Sequence, residues 1–111
     1  MDKLVQMLTQ TGIPFAYDHF AEGEGPDPPF ICYLTPGSNN FSADCGVYQK
    51  IDRMRIELYT DKKSPATERR LEDALDEYGI FYDKTETWIS SEKLYEVMYE
   101  FEEVNSYAKE Q

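Results

Sequence analysis

Arg53–Tyr78 reads RMRIELYTDKKSPATERRLEDALDEY, which spells out a strand, a short polar connection and a helix. Met54, Ile56 and Leu58 alternate with Arg53, Arg55, Glu57 and Tyr59. Successive strand side chains point to opposite faces, so one face is apolar and the other charged. Ser64 precedes Pro65. A serine hydroxyl accepts one of the orphan N–H groups at a helix start, and proline has none to satisfy, so the pair predicts an N-cap and first helical position. Leu71, Ala74, Leu75 and Tyr78 share a helical face, and Gly79 supplies the left-handed stop. With so few residues between them, the helix is expected to lie across the Met54/Ile56/Leu58 face.

Upstream, Asp2–Thr11 carries the apolar stripe Leu4, Val5, Met7 and Leu8 and predicts a first helix, ended by Gly12 and Pro14. Ile13–Phe20 reads as a short strand and Phe30–Leu34 as a more buried one. Between them, Ala21–Pro29 is rich in Gly, Pro and acids, which sustain neither helix nor sheet. Thr35–Gly46 holds turn residues around one aromatic, Phe41, and is expected to form the tip of a hairpin leading into a third strand, Val47–Thr60. Downstream, Ile80–Ile89 and Leu94–Phe101 flank the polar turn Ser90–Lys93, a closing hairpin. Tyr95, Val97, Tyr99 and Phe101 take one face of its last strand, and Glu96, Met98, Glu100 and Glu102 the other. Val104–Gln111 is expected to fray. The fold expected over residues 1–111 is therefore α+β, a single domain with a mainly antiparallel sheet and both helices on one face, in the order α-β-β-β-α-β-β.

The 111 residues are 41% hydrophobic and 14% aromatic, enough to bury a core. The net charge of −11 argues against a surface that grips nucleic acid or an anionic membrane, because both need clustered Lys and Arg. Met1–Gln10 has neither the basic start and apolar centre of a signal peptide nor a membrane-length apolar run, which points to the cytoplasm as the site of synthesis. Cys32 and Cys45 form no CxxC pair and read as free thiols.

No enzyme signature emerges. His19 is the single histidine and has no nucleophile and carboxylate around it in a triad pattern. No HExxH, paired cysteines or EF-hand spacing occurs, so neither metal nor other cofactor is expected. Gly23 and Gly25 lie among acids with no following Lys–Ser/Thr, which rules out a phosphate loop. Glu96, Glu100 and Glu102 alternate along a strand, the pattern of a solvated face more than of paired catalytic acids. Arg53 and Arg55 are expected to face Glu96 and Glu100 across neighbouring strands, pairs of about 0.2–1 kcal/mol each. The rings of Phe41, Tyr48, Tyr59, Tyr82, Trp88, Tyr95 and Tyr99 exceed what two small helices cover. That leaves both core packing and interface use open for them.

The helix leading to GIPFAYDHF, the PPFICYL strand, IELYTDKKSPATERRLEDALDEYGI and the final LYEVMYEFE together resemble the tail-terminator and head–tail joining (minor tail, tail completion) proteins of long-tailed bacteriophages and prophages. The resemblance covers nearly the whole chain and contains no catalytic fingerprint. It implies an α+β protein without turnover that assembles as a ring, commonly a hexamer. Such a ring sits at the head-proximal end of the tail tube, stops tube polymerisation and meets the head connector. It also implies assembly in the bacterial host cytoplasm, a place in the virion tail, and DNA passing through the ring lumen. A ring needs a heterologous interface between two different patches. The candidates are the Ser38–Asp44 loop with Phe41 and the outer strand face with Arg53, Arg55, Tyr59 and Met98. The alternatives are a small acidic adaptor that captures a basic partner and, third, an enzyme using surface carboxylates.

Overall fold

The computed structural model describes residues 2–21, 23, 25–38, 41–42 and 48–106, with 2, 38, 41–42, 48–50 and 104–106 described by backbone alone. Helices α1 (Asp2–Thr11) and α2 (Pro65–Glu77) accompany strands β1 (Phe15–Tyr17), β2 (Phe30–Ser38), β3 (Phe41–Ser42), β4 (Tyr48–Thr60), β5 (Asp83–Ile89) and β6 (Leu94–Ser106). The sheet runs β1-β2-β4-β6-β5, with β3 a short extra rung on β4. This is the expected α+β arrangement.

Alternation in β4 decides the core. Met54, Ile56 and Leu58 are buried, and they stand opposite Phe101, Tyr99 and Val97 of β6, so the apolar faces of the two central strands coincide. Ile31 and Tyr33 of β2 extend this face, and Leu4, Met7 and Leu8 of α1 close over it with Leu71, Ala74 and Leu75 of α2. Each fully buried Leu, Ile or Met contributes about 1.5–3 kcal/mol relative to exposure. Both helices therefore lie on the Met54/Ile56/Leu58 side.

Helix α2 begins as its sequence requires. The Ser64 hydroxyl accepts from the Thr67 backbone N–H at 3.3 Å, with Pro65 in the first turn. Gly79, at φ +70°, follows the last turn, where the Ile80 N–H donates to the Leu75 carbonyl at 2.9 Å. Ser64→Ala is expected to cost about 1 kcal/mol, the usual worth of such a cap, and thermal unfolding would measure it. At the other end of the helix pair, Arg70 Nη2 donates to the Thr11 carbonyl at 2.6 Å and satisfies the last turn of α1. Gly12, at φ +74°, would place an added Cβ 3.1 Å from that guanidinium, so the position needs glycine twice over.

On the helix side, α2 is also tied to β5 by ions. Glu68, 4% exposed, accepts from Lys63 at 2.6 Å and from Lys84 at 2.9 Å. Lys63 also bonds Glu86. Lys84 reaches Glu72 at 2.6 Å, and the buried Tyr99 hydroxyl donates to the same carboxylate oxygen at 2.7 Å. Burial alone would raise the Glu68 carboxyl, but the two lysine hydrogen bonds outweigh it and hold the group below its ordinary range.

Several boundaries differ from expectation. The first strand is confined to Phe15–Tyr17 and runs parallel to β2, held by Ile31 N–H to the Pro14 carbonyl at 2.8 Å and Asp18 N–H to the Tyr33 carbonyl at 2.7 Å. Strand β2 continues past Leu34 to Ser38 because a bulge between Leu34 and Gly37 absorbs Pro36, which has no N–H to give to the ladder. Strand β5 starts at Asp83, since Ile80 and Tyr82 are drawn against the core at the end of α2. Val104–Ser106, expected to fray, pair instead with Ile51, Lys50 and Gln49, because β4 is long enough to offer them partners. Residues 107–111 lie outside the described residues, as does Cys45. Cys32 is a buried free thiol. No helix among the described residues is long and apolar enough to cross a membrane.

Candidate functional site: the open face of the sheet

With both helices on one side, no described helix or strand covers the opposite face of the sheet. Strand alternation places Arg53, Arg55, Glu57 and Tyr59 on that face, and the β4–β6 register sets them against Glu102, Glu100, Met98 and Glu96. Four of the residues anticipated for an interface, Arg53, Arg55, Tyr59 and Met98, are therefore brought together. The fifth, Phe41, has its backbone paired with Gln49 in β3, and its side chain lies outside the described residues.

The expected pairing of Arg55 with Glu100 is present: Nε and Nη2 both donate to one carboxylate oxygen, at 3.1 and 3.0 Å. Arg53 faces Glu102 instead of the expected Glu96, because the antiparallel ladder that matches Arg55 with Glu100 runs the two strands in opposite directions. Glu96 stands opposite Tyr59. The Tyr59 hydroxyl lies 3.0 Å from Glu57 Oε1 and 2.7 Å from Glu96 Oε2. One phenolic proton thus serves two carboxylates. Burial is the main reason the Glu57 carboxyl is raised, with Glu96 and Asp18 adding to it and the Tyr59 hydrogen bond and Arg55 opposing. Burial and the same two glutamates push the Tyr59 phenol far up, so it remains a donor.

A raised folded-state carboxyl holds its proton more tightly than the unfolded chain does. Its contribution to stability is fully present below the ordinary glutamate value and is lost as pH rises through the raised one. Glu57→Gln keeps the neutral shape. It is expected to flatten the decline in stability from about pH 4.5 towards neutrality, and urea midpoints across that range would show it.

This end of the face is concave. A cavity of about 270 Å³ is lined by Asp18, Phe20, Phe30, Cys32, Glu57, Tyr59 and Glu92, among others. Phe30 stacks on Tyr59 with centroids 5.1 Å apart and planes 25° apart, and Phe20 meets Phe30 edge-on at 5.7 Å. The Cys32 thiol, buried beside Glu57, Asp18 and Glu96, is pushed up by burial first and then by those acids, which makes it a poor nucleophile. His19 bonds Asp18 at 2.9 Å, and its side chain is 76% exposed.

Such an arrangement can bind cations and pack against apolar or aromatic groups. Cys32 and His19 both line the cavity. Among the described residues, no group of three or more His, Cys, Asp or Glu is placed to hold a metal ion.

The chain matches no family model and no curated protein.

Sequence reasoning did not anticipate Phe30, Cys32, Asp18 and Glu92 at this site. FICYL is apolar at every position, so its two faces look alike until the register with β4 separates Ile31 and Tyr33 from Phe30 and Cys32. It also missed Phe81, which is 92% exposed. Read as part of a strand, Ile80–Tyr82 in fact turns Phe81 outward between two half-buried neighbours packed against the core.

Proposed function

We propose that the protein is a structural component of a bacteriophage or prophage tail, a tail-terminator or head–tail joining protein that works as a homo-oligomeric ring. The observation that carries this reading is the two-layer fold with one sheet face left open. That face bears Arg53, Arg55, Tyr59 and Met98 beside half-buried rings and carboxylates, the mixture of aromatic and Arg residues enriched where proteins meet. Strand β5 adds an exposed edge, with every residue from Asp83 to Trp88 exposed, and an unpaired strand edge invites pairing with another chain.

The resemblance in sequence supplies the biological setting: a ring at the head-proximal end of the tail tube, in contact with tube and head-connector proteins. Assembly takes place in the host cytoplasm and the ring ends in the virion. The open face is one of the two patches a heterologous ring requires, and the stretch Ser38–Asp44, of which residues 39, 40, 43 and 44 lie outside the described residues, is the other. The charge of −11 suits a lumen through which DNA slides, because an acidic wall repels phosphate and does not hold the strand. Function in this reading is assembly without turnover.

Light scattering over a range of concentrations tests the proposal. A single closed oligomer several times the 13.0 kDa chain mass is expected. A monomer that persists at high concentration and in the presence of tail tubes favours the acidic adaptor, a reading to which the excess of acids around Tyr59 lends weight.

A further inference from the structure

We infer that the acidic end of the open sheet face docks an arginine side chain presented by a partner protein. The inference rests on the reading of this face as a protein-contact surface and adds the chemistry of what meets it.

Charge comes first. The cavity beside Tyr59 is lined by the carboxylates of Asp18, Glu57 and Glu92 against one histidine, His19, which bonds Asp18, and by no lysine or arginine, and Glu96 lies 2.7 Å from the Tyr59 hydroxyl. The nearest guanidinium on the face is already engaged. Arg55 holds Glu100 at 3.0 Å and approaches Glu57 only to 3.8 Å. Glu57 and Glu96 must therefore share the single proton of Tyr59, an arrangement that an incoming cation relieves directly. The one cation the described elements bring to Glu57 is Arg55, at 3.8 Å and shared with Glu100; the other groups facing Glu57 are Tyr59 on β4, Glu96 on β6, Cys32 on β2 and Asp18 after β1.

Shape and surface select arginine over lysine. The wall of the cavity is the Phe30–Tyr59 stack, both rings half-buried and therefore partly open. A planar guanidinium stacks on aromatic rings and presents a fork of N–H donors to carboxylates, whereas an ammonium is a compact, strongly hydrated point charge. Nucleic acid is the wrong partner for this face, since carboxylates repel phosphate.

TROSY spectra of the full chain, titrated with N-acetyl-arginine amide, test the assignment. N-acetyl-lysine amide and the uncharged isostere N-acetyl-citrulline amide serve as controls. Shifts are expected to concentrate on the amides of Phe30, Cys32, Glu57, Tyr59 and Glu96. Citrulline should bind at least about tenfold more weakly, and so should arginine to the Glu57→Gln/Glu96→Gln variant, the scale of one lost charge-assisted contact. Binding should also strengthen as pH rises and Glu57 ionises. Phe30→Leu, which keeps every charge, should weaken arginine more than lysine.

Shifts spread over the acidic surface in general would overturn the proposal. So would equal binding of citrulline, or a double variant that binds like the parent. Localised arginine binding without ring formation would sink the ring and leave the docking site standing. Rings that form without such binding would do the reverse.

Discussion

Replacing Lys63 and Lys84 together by methionine is expected to destabilise the fold by about 3 kcal/mol, the low end for stripping a buried charge of its partners. The Glu68 side chain is only 5% exposed, while the two lysines that hold it are 42% and 37% exposed. The lysines thus stand partly in water and lose little when removed. Glu68 is left in the interior with no counter-charge. The low-end figure follows because a protonated Glu68 is the cheaper outcome.

The pH dependence of this group should invert as well. In the parent, the Glu68 carboxyl is held below its ordinary range despite burial. Its contribution is present above the unfolded value and lost as pH falls through the lowered folded one. In the double variant only burial remains, so the folded carboxyl is raised. The contribution is then present below the ordinary value and lost as pH rises. Urea unfolding at about pH 4 and pH 7 should show the variant closer to the parent in acid than at neutrality. An equal deficit at both pH values would mean that the lysines act by packing alone.

Leu75→Ala is expected to cost about 2–5 kcal/mol, the range for truncating a fully buried leucine where the surroundings relax only in part. Leu75 is 0% exposed and sits in the cluster that joins α2 to Met54, Ile56 and Leu58. Against a typical domain stability of about 5–15 kcal/mol, that is a large fraction. Val5→Ala is the control. Val5 is 36% exposed on α1, and its truncation should stay within about 0.5 kcal/mol. Comparable losses for the two would mean that α2 does not dock on the sheet as described.

The element order and the core were legible because their signals are local. Alternation in Arg53–Tyr59 shows which β4 side chains face inward, and Ser64–Pro65 with Gly79 bounds α2 within a residue. The same parity places Arg53, Arg55 and Tyr59 on one face of β4, and Met98 joins them once the β4–β6 pairing sets it opposite Glu57. What was not legible depends on pieces distant in the chain. A three-residue β1 carries no sign of whether it pairs parallel or antiparallel, and its two anchoring bonds to Ile31 and Tyr33 follow from where the Asp18–Pro29 connection returns. The Arg55–Glu100 pair was anticipated, but in an antiparallel ladder it puts Glu102 opposite Arg53 and Glu96 opposite Tyr59. That geometry replaces an anticipated Arg53–Glu96 ion pair with the proton-sharing group at the candidate site. Asp18 and Glu92 reach the cavity from connections, where sequence sets composition but not position.

Negative-stain microscopy of the purified 111-residue chain at high concentration tests assembly through the open face most directly. Closed rings of uniform subunit number, lost on Tyr59→Asp while the variant remains folded by circular dichroism, are the predicted result. Isolated particles of monomer size, with or without tail tubes added, would contradict it.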